Sequence, residues 1–287
     1  MNTYLMLDGT PYTDQAGYAT KPFTEEFINR DHRVAQTIFT PGFKRITGGQ
    51  GIPVPPDFTV GITGYQPRKF MLDDTRSDNV DVSDNNIILF RFAEVLLNYA
   101  EAKAELGTLT DDDWSKTVGK LRSRAGITGG LNTKPATVDT YMQQRYFPDI
   151  SDPVILEIRR ERATELCLEG FDWNDVMRWK AGKLLEKKYD GIYIPQLEVL
   201  YDFSDDGKPD VVFSTDPNYV GPQGVFTLFV GPIMSNGAAS NYQLDDDGHT
   251  LIYLKTEQKV WEDKLYFHPI PALDLVKNPN LGQNPGW

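Results

Sequence analysis

The sequence predicts a mainly α protein in which helical hairpins stand beside an irregular loop region and small β-hairpins. The stretch from Ile87 to Gly107 repeats apolar residues at helical spacing and is followed at once by a second helical stretch. The residues before it are dominated by turn formers and aromatics, and those from Tyr189 to Lys259 form short β-type runs between Gly, Pro, Asn and Asp.

Composition sets the outer bounds. A chain of 287 residues that is 40 % hydrophobic can bury one large core or two small ones. Against 29 basic residues stand 41 acidic ones, giving a net charge of −12 and a pI near 4.7. That balance argues against a nucleic-acid partner, because binding a phosphate backbone depends on clustered Lys and Arg. The single cysteine, Cys167, excludes an intramolecular disulfide and a CxxC metal site, and reads as a small buried hydrophobe. No run of about 18 apolar residues and no basic-then-apolar leader at Met1 stands in the sequence.

The N-terminal segments DGTPYTDQAGY, TPGFKRITGGQGIPVPPDF and VGITGYQPRKF predict irregular aromatic loops. Gly48 to Gly51, GGQG, lacks the following Lys-Ser or Lys-Thr of a phosphate cradle and reads as a flexible loop. In the stretch from Ile87 to Gly107, Ile88, Phe92, Val95, Tyr99, Ala102 and Leu106 predict the core stripe of a long helix. Arg91, Glu94, Asn98, Glu101 and Glu105 predict its solvent stripe. Asp84 is the expected cap of the first turn and Gly107 the stop of the last. Ala93, Ala100, Ala102 and Ala104 allow a second helix to approach closely. That helix follows, capped by Thr110, with Asp111, Asp112 and Asp113 at its positive end and Trp114, Val118 and Leu121 on its apolar side before Gly126. The antiparallel pair resembles a tetratricopeptide unit.

A polar stretch from Gly129 to Pro148 separates this hairpin from a third helix, opened by Asp152 and Pro153 and running VILEIRRERATELCLEG. Its dense charges, at spacings of three and four, read as a solvated, ion-paired face. Gly170 ends it, and Asp172 is the expected cap of a fourth helix, WNDVMRWKAG, with Trp173 and Trp179 as core anchors. The runs IYIPQLEVLYDF, DVVFS, GVFTLFV and HTLIYLKTE predict hairpins. The closing FHPIPALDLVKNPNLGQNPGW predicts a short helix and a tail that is ordered only by docking.

Five ordered motifs, FRFAEVLLNYAEAKAELG, LRSRAG, EIRRERATELCLEGFDWNDVMRWKAG, HPIP and NPNLGQNPGW, resemble the RagB/SusD family of bacterial outer-membrane nutrient-binding lipoproteins. YLMLDGTPY and FINRDHRVAQTIFTPGF are similar to that family's middle region. The resemblance implies a SusD-like fold, a tetratricopeptide-type scaffold embracing loops and small hairpins. It implies that residues 1–287 form the C-terminal domain of such a protein. Family members begin with a signal peptide, a lipid-modified cysteine and further scaffold helices, none of which precedes Met1 here. A family scaffold would hold the EIRRERATEL helix against the first hairpin, with Arg159 or Arg160 partly buried and paired.

The implied function is binding without catalysis: a surface-exposed outer-membrane component holds an oligo- or polysaccharide and delivers it to a SusC-like TonB-dependent transporter. Sugars stack their C–H faces on aromatic rings, and Tyr12, Tyr18, Phe43, Phe58 and Tyr65 lie in the Gly/Pro loops that would present such rings. The rival readings are a glycoside hydrolase with paired carboxylates and a peptide-binding helical-repeat scaffold. No GxSxG, HExxH, Walker or Rossmann pattern is present, and His32, His249 and His268 lack ligand spacing. No cofactor is expected except calcium. Asp202, Ser204, Asp206 and Asp210 match the early spacing of a calcium loop, but Phe213 stands where its bidentate Glu belongs, so the expectation is weak binding or an acidic turn.

Overall fold

The computed structural model describes residues 1–79 and 82–287. Its N-terminal region is built of short turns, as expected, broken by a five-residue helix α1 (Arg33–Thr37) and one hairpin. The hairpin pairs β1 (Lys44–Thr47) with β2 (Gln50–Pro53). Gly48 and Gly49, at φ 58° and 81°, supply the two left-handed residues of its turn. GGQG is therefore an ordered turn, not a flexible loop, because flanking strands fix it.

Helix α2 (Phe92–Glu105) begins later than expected, and Asp84 does not cap it. Ile87 to Phe90 lie outside the helix and are exposed. Arg91 marks the start; its guanidinium pairs with Glu165 and, at 2.6 Å, with Glu169. At the other end Gly107, at φ 67°, closes a Schellman motif: its N–H donates to the Ala104 carbonyl and that of Thr108 to the Lys103 carbonyl.

The buried face of α2 is the opposite of the expected one. Ala93, Leu97, Ala100 and Glu101 point inward, whereas the stripe of Ile88, Phe92, Val95, Tyr99, Ala102 and Leu106 is exposed, Phe92 at 72 % and Leu106 at 75 %. The helix carries two apolar faces. The neighbouring helix closed on the one whose alanines permit the shorter approach.

The second stretch is two helices, α3 (Asp111–Lys116) and α4 (Val118–Arg124), because Thr117 leaves helical dihedrals at φ −113°, ψ −93°. Thr110 and Asp113 form a reciprocal capping box. Trp114, Val118 and Leu121 are buried as expected, against Leu97 of α2 and Ile158 and Leu166 of the third stretch. Helix α5 (Thr140–Tyr146), within the segment read only as polar, is capped by Asp139. Helix α6 (Pro153–Glu165) is capped by Asp152, with Pro153 in its first turn. Helix α7 (Asp172–Arg178) starts after Phe171, which has no side-chain cap, so Asp172 is its first residue and not its cap. Trp173 is exposed, not an anchor; Trp179 is held by Phe147, its ring centroid 5.8 Å away, and by a hydrogen bond to Glu101 at 2.6 Å. Cys167 is free and half-buried, not buried.

The charges of α6 are the largest departure from expectation. Instead of facing water, Arg159, Arg160, Glu161, Arg162 and Glu165 are all buried. Glu161 binds Arg33 at 2.5 Å and Arg122 at 3.0 Å; Glu165 binds Arg33 at 2.8 Å and also pairs with Arg91 and Arg124. Arg160 pairs with Glu157 at 3.1 Å and with Asp139, as the family scaffold implied. Carboxylates at successive turns of one helix thus collect arginines from α1, from α4 and from the start of α2. Attraction by these arginines holds Glu157 and Glu165 below the usual carboxylate pKa against the opposing effect of burial.

Beyond the helices, β3 (Tyr189–Tyr193), β8 (Thr250–Tyr253) and β7 (Tyr242–Leu244) form one antiparallel sheet in the order β3-β8-β7. A second sheet has the order β4-β5-β6, from β4 (Leu200–Tyr201), β5 (Val211–Ser214) and β6 (Phe226–Phe229). Its β5 and β6 run parallel instead of forming a hairpin, and every residue of β5 is buried, as a strand covered on both faces requires. These sheets and the N-terminal loops share a second core of Phe23, Phe58, Phe203, Phe213, Ile192 and Leu251. The content is accordingly mixed and irregular, more than mainly α. Helix α8 (Ala272–Lys277) is exposed, and the tail docks on the segment just before it: the Gln283 amide brackets Ile270 at 2.8 and 3.0 Å. Among the described residues no helix is long and apolar enough to cross a membrane.

Candidate glycan-binding surface

Asp139 starts α5 by accepting a hydrogen bond from the Met142 N–H at 2.8 Å, and Met142 is then buried against Phe147 and Leu156. With that face turned inward, Tyr141 and Tyr146 are left half-buried on the outer side, edge to face with centroids 6.1 Å apart. Tyr18 comes from the N-terminal loops and meets Tyr141 edge-on at 5.9 Å. Behind it stands Tyr12, also edge-on at 5.9 Å, whose hydroxyl donates to the Tyr18 carbonyl and whose ring is covered by Arg30 at 3.6 Å. Four tyrosines from two distant segments therefore form one contiguous row, buried at Tyr12 and half-buried at the other three.

Two pockets adjoin the row, one at Tyr141 and one at Tyr146. One, of about 440 Å³, is bordered by Tyr141, Trp114, Asp14, Thr133 and Pro135. The other, of about 480 Å³, is bordered by Tyr146, Phe147, Trp179, Tyr266, Arg159 and several lysines. Burial raises the pKa of Tyr18 and Tyr146 above the ordinary phenol value. Both hydroxyls therefore remain protonated donors at neutral pH. Aromatic faces, hydroxyl donors and cations around two open hollows are the chemistry that holds a sugar chain.

Of the five rings expected to stack on sugar, only Tyr18 belongs to this line with its ring accessible. Tyr12 is the buried foot of the line. Phe43 is buried against Phe39, centroid 4.4 Å away, with Arg68 over its face at 4.1 Å. Phe58 is buried between Phe213 at 5.6 Å and Phe226 at 6.1 Å. Tyr65 is half-buried, and its hydroxyl donates to Glu26 at 2.8 Å. Burial thus turns Tyr12, Phe43 and Phe58 from platforms into packing, since loops without regular backbone pairing need aromatic contacts to be ordered. Tyr141, Tyr146, Trp179 and Arg159 were not among the candidates the sequence suggested; the cue for the two tyrosines was YMQQRYFP, three aromatics inside a segment otherwise polar.

The calcium reading fares differently. The Asp202 carboxylate accepts from the backbone N–H groups of Asp206 at 3.2 Å and Gly207 at 2.7 Å. Asp210 likewise accepts from Phe203 and Ser204, at 2.8 and 2.7 Å. Asp206 pairs with Lys208 at 3.3 Å. The carboxylates of Asp202, Asp206 and Asp210, and Ser204 beside them, knit an acidic turn. Among the described residues no three His, Cys, Asp or Glu side chains gather to hold a metal.

Comparison with known proteins identifies the family and the fold. The family model described as the SusD family matches residues 1–287. A SusD-like protein from Bacteroides fragilis NCTC 9343 is similar in structure, with a TM-score of 0.58 and 21 % identity, over 100 % of this chain and 45 % of that one. A SusD-like carbohydrate binding protein from the same organism gives a TM-score of 0.58 and 24 % identity, over 98 % of this chain and 47 % of that one. At such identities the likeness carries the fold alone, and the chain spans less than half the length of either structure. No curated protein matches the sequence.

Proposed function

This chain belongs to the SusD family, and on that premise we propose that it binds a glycan without cleaving it, on the ridge of Tyr18, Tyr141 and Tyr146. The single observation that carries the proposal is that ridge, three half-buried rings in contact, with Tyr141 bordering one pocket and Tyr146 the other. A second structural relative is described as carbohydrate binding, which supports the same reading. As a surface component of the outer membrane, the protein would deliver its oligosaccharide to a SusC-like TonB-dependent transporter. Binding on shallow rings is weak for a small sugar and stronger for a polymer that engages several rings at once.

The hydrolase alternative draws less support. The carboxylates of α6 are each committed to arginines. Glu26, whose pKa burial lifts to about 7, has the acidity of a general acid, but it is buried beneath Tyr65.

The test is affinity gel electrophoresis on a panel of polysaccharides with Tyr18→Ala, Tyr141→Ala and Tyr146→Ala. Each should weaken retention roughly three- to tenfold, the worth of one stacked ring. Phe58→Ala is the control: it should lower stability by about 3–5 kcal/mol yet leave retention of the folded fraction intact. Wild-type retention by all three tyrosine variants would remove the ridge from the site, and shortening of the glycan on incubation would end the binding-only reading.

A further inference from the structure

The chain carries a net charge of −12, and among the described residues most of its buried arginines are ion-paired. On α6, Arg160 has Glu157 and Asp139, and Arg162 has Asp175 at 2.6 Å. Among the described residues two buried arginines lack an ion pair: Arg30 donates instead to the carbonyls of Glu26, Met1 and Tyr4, whereas Arg159 has no such substitute. Arg159 is 6 % exposed, and among the described residues it has neither an ion-pair partner nor a hydrogen bond; its Nε is buried and unsatisfied. Two rings hold its guanidinium, Phe147 at 4.9 Å and Trp179 at 4.7 Å from their centroids. Glu101, the nearby carboxylate that acts on it most, is already bound by Arg178 at 2.7 Å and by the Trp179 N–H at 2.6 Å.

Arg159 lies in the wall of the 480 Å³ pocket beside Tyr146. Around it stand Arg145, Lys180, Lys183 and Lys187, against the three carboxylates of Asp149, Glu186 and Asp263. Of these cations Arg145 is spent on Asp190 at 2.8 Å. A strongly acidic chain has thus kept a locally cationic hollow with an unpaired guanidinium in its wall. Burial pushes the Arg159 pKa down and, foremost among the causes, also that of Lys187, which shows what both cations lose to desolvation. A buried charge without a partner is destabilising, and an anion arriving in the pocket would offset that cost.

We propose that this pocket takes the carboxylate of an acidic sugar, a uronic acid unit of a glycan whose neighbouring rings lie on Tyr146 and Tyr141. The inference rests on the glycan-binding reading above and names its substrate class. A carboxylate fits because the guanidinium is a planar fork that engages two oxygens at once, and the flanking rings fix the plane of that fork. Lys180 and Lys183, both exposed at the rim, add attraction at longer range.

Isothermal titration of the whole chain with a galacturonic acid oligosaccharide, and with the same oligosaccharide reduced at its carboxyls, tests the inference. The acidic form should bind at least about tenfold more tightly, the scale of one charge-assisted hydrogen-bonded pair, and Arg159→Gln should erase the difference. Raising NaCl from about 50 to about 500 mM should weaken only the acidic form. Should Arg159→Gln fail to fold, the double variant Lys180→Ala/Lys183→Ala decides, by weakening the acidic form several-fold and flattening its salt dependence. Equal binding of both forms would overturn the anion inference and leave glycan binding standing; binding of neither would fell both. A sulfated oligosaccharide preferred over the uronate would overturn the carboxylate assignment.

Discussion

Replacing Arg33 by Met takes the guanidinium out of the centre of the α6 network while keeping most of the side-chain volume. The side chain is 6 % exposed and serves three carboxylates, Asp31, Glu161 and Glu165, at 2.6, 2.5 and 2.8 Å. Their fates differ. Glu161 keeps Arg122 at 3.0 Å, and Glu165 keeps Arg91 and Arg124. Asp31, wholly buried, keeps only the backbone N–H of residue 33. One buried carboxylate is left without its counter-charge, and the expected loss is about 3–5 kcal/mol. For 287 residues, with an unfolding entropy of roughly 0.6 kcal/mol per degree, that lowers the melting temperature by about 5–8 °C. Arg124→Ala is the matched comparison: it also contacts Glu165, but it is 57 % exposed, so its loss should stay under about 1 kcal/mol. Urea unfolding followed by tryptophan fluorescence measures both. Adding Asp31→Leu to Arg33→Met should restore most of the loss, because it removes the orphaned charge. Arg33→Met within 1 kcal/mol of wild type at unchanged urea dependence, or no recovery in the double variant, would refute the account of the network.

Two further outcomes follow from named groups. Glu26 has its pKa raised from 4.5 to about 7 by burial, so between those values the folded state holds a proton that the unfolded state has released. Its contribution is fully present below 4.5 and is lost as the pH climbs through about 7, by up to about 3 kcal/mol; Glu26→Gln should flatten that part of the stability profile, and an identical slope in the variant would reject the assignment. Because Asp202 and Asp210 are engaged by backbone N–H groups, the melting temperature should not move between chelator and millimolar calcium, and a rise in calcium would reinstate the metal site.

Capping and stop signals, which depend on near neighbours, were legible where the helix began where its pattern began: Thr110, Asp152 and Gly107 act as read, whereas Asp84 and Asp172 do not cap. What could not be read was which of two competing faces a helix would bury. On α2 the large apolar stripe and the alanine stripe each predicted a partner, and the choice was made by a helix more than fifty residues away in the chain. On α6 the same blindness inverted the meaning of charge. A run of Glu and Arg looks solvated within a window of one helix, and only Arg33, Arg91 and Arg122 reveal it as an interior. For the binding surface, an aromatic in a loop signals either a platform or a plug, and the difference lies in what covers it. Tyr12, Phe43 and Phe58 are fully covered; Tyr18 is only partly so.

The α6 network also bears on how fast this protein reaches its native state. Arg33 joins Glu161 and Glu165 at sequence separations of 128 and 132, and Lys69 joins Glu169 at a separation of 100. Such closures cost chain entropy before any attraction is gained, and topologies rich in them fold slowly. Until the arginines arrive, three carboxylates one turn apart on α6 repel one another and keep their water. The helix can be dehydrated only in company, which couples its consolidation to docking of the N-terminal loops. Substitutions at Arg33 should therefore act mainly on the unfolding rate, the mark of contacts completed after the rate-limiting barrier.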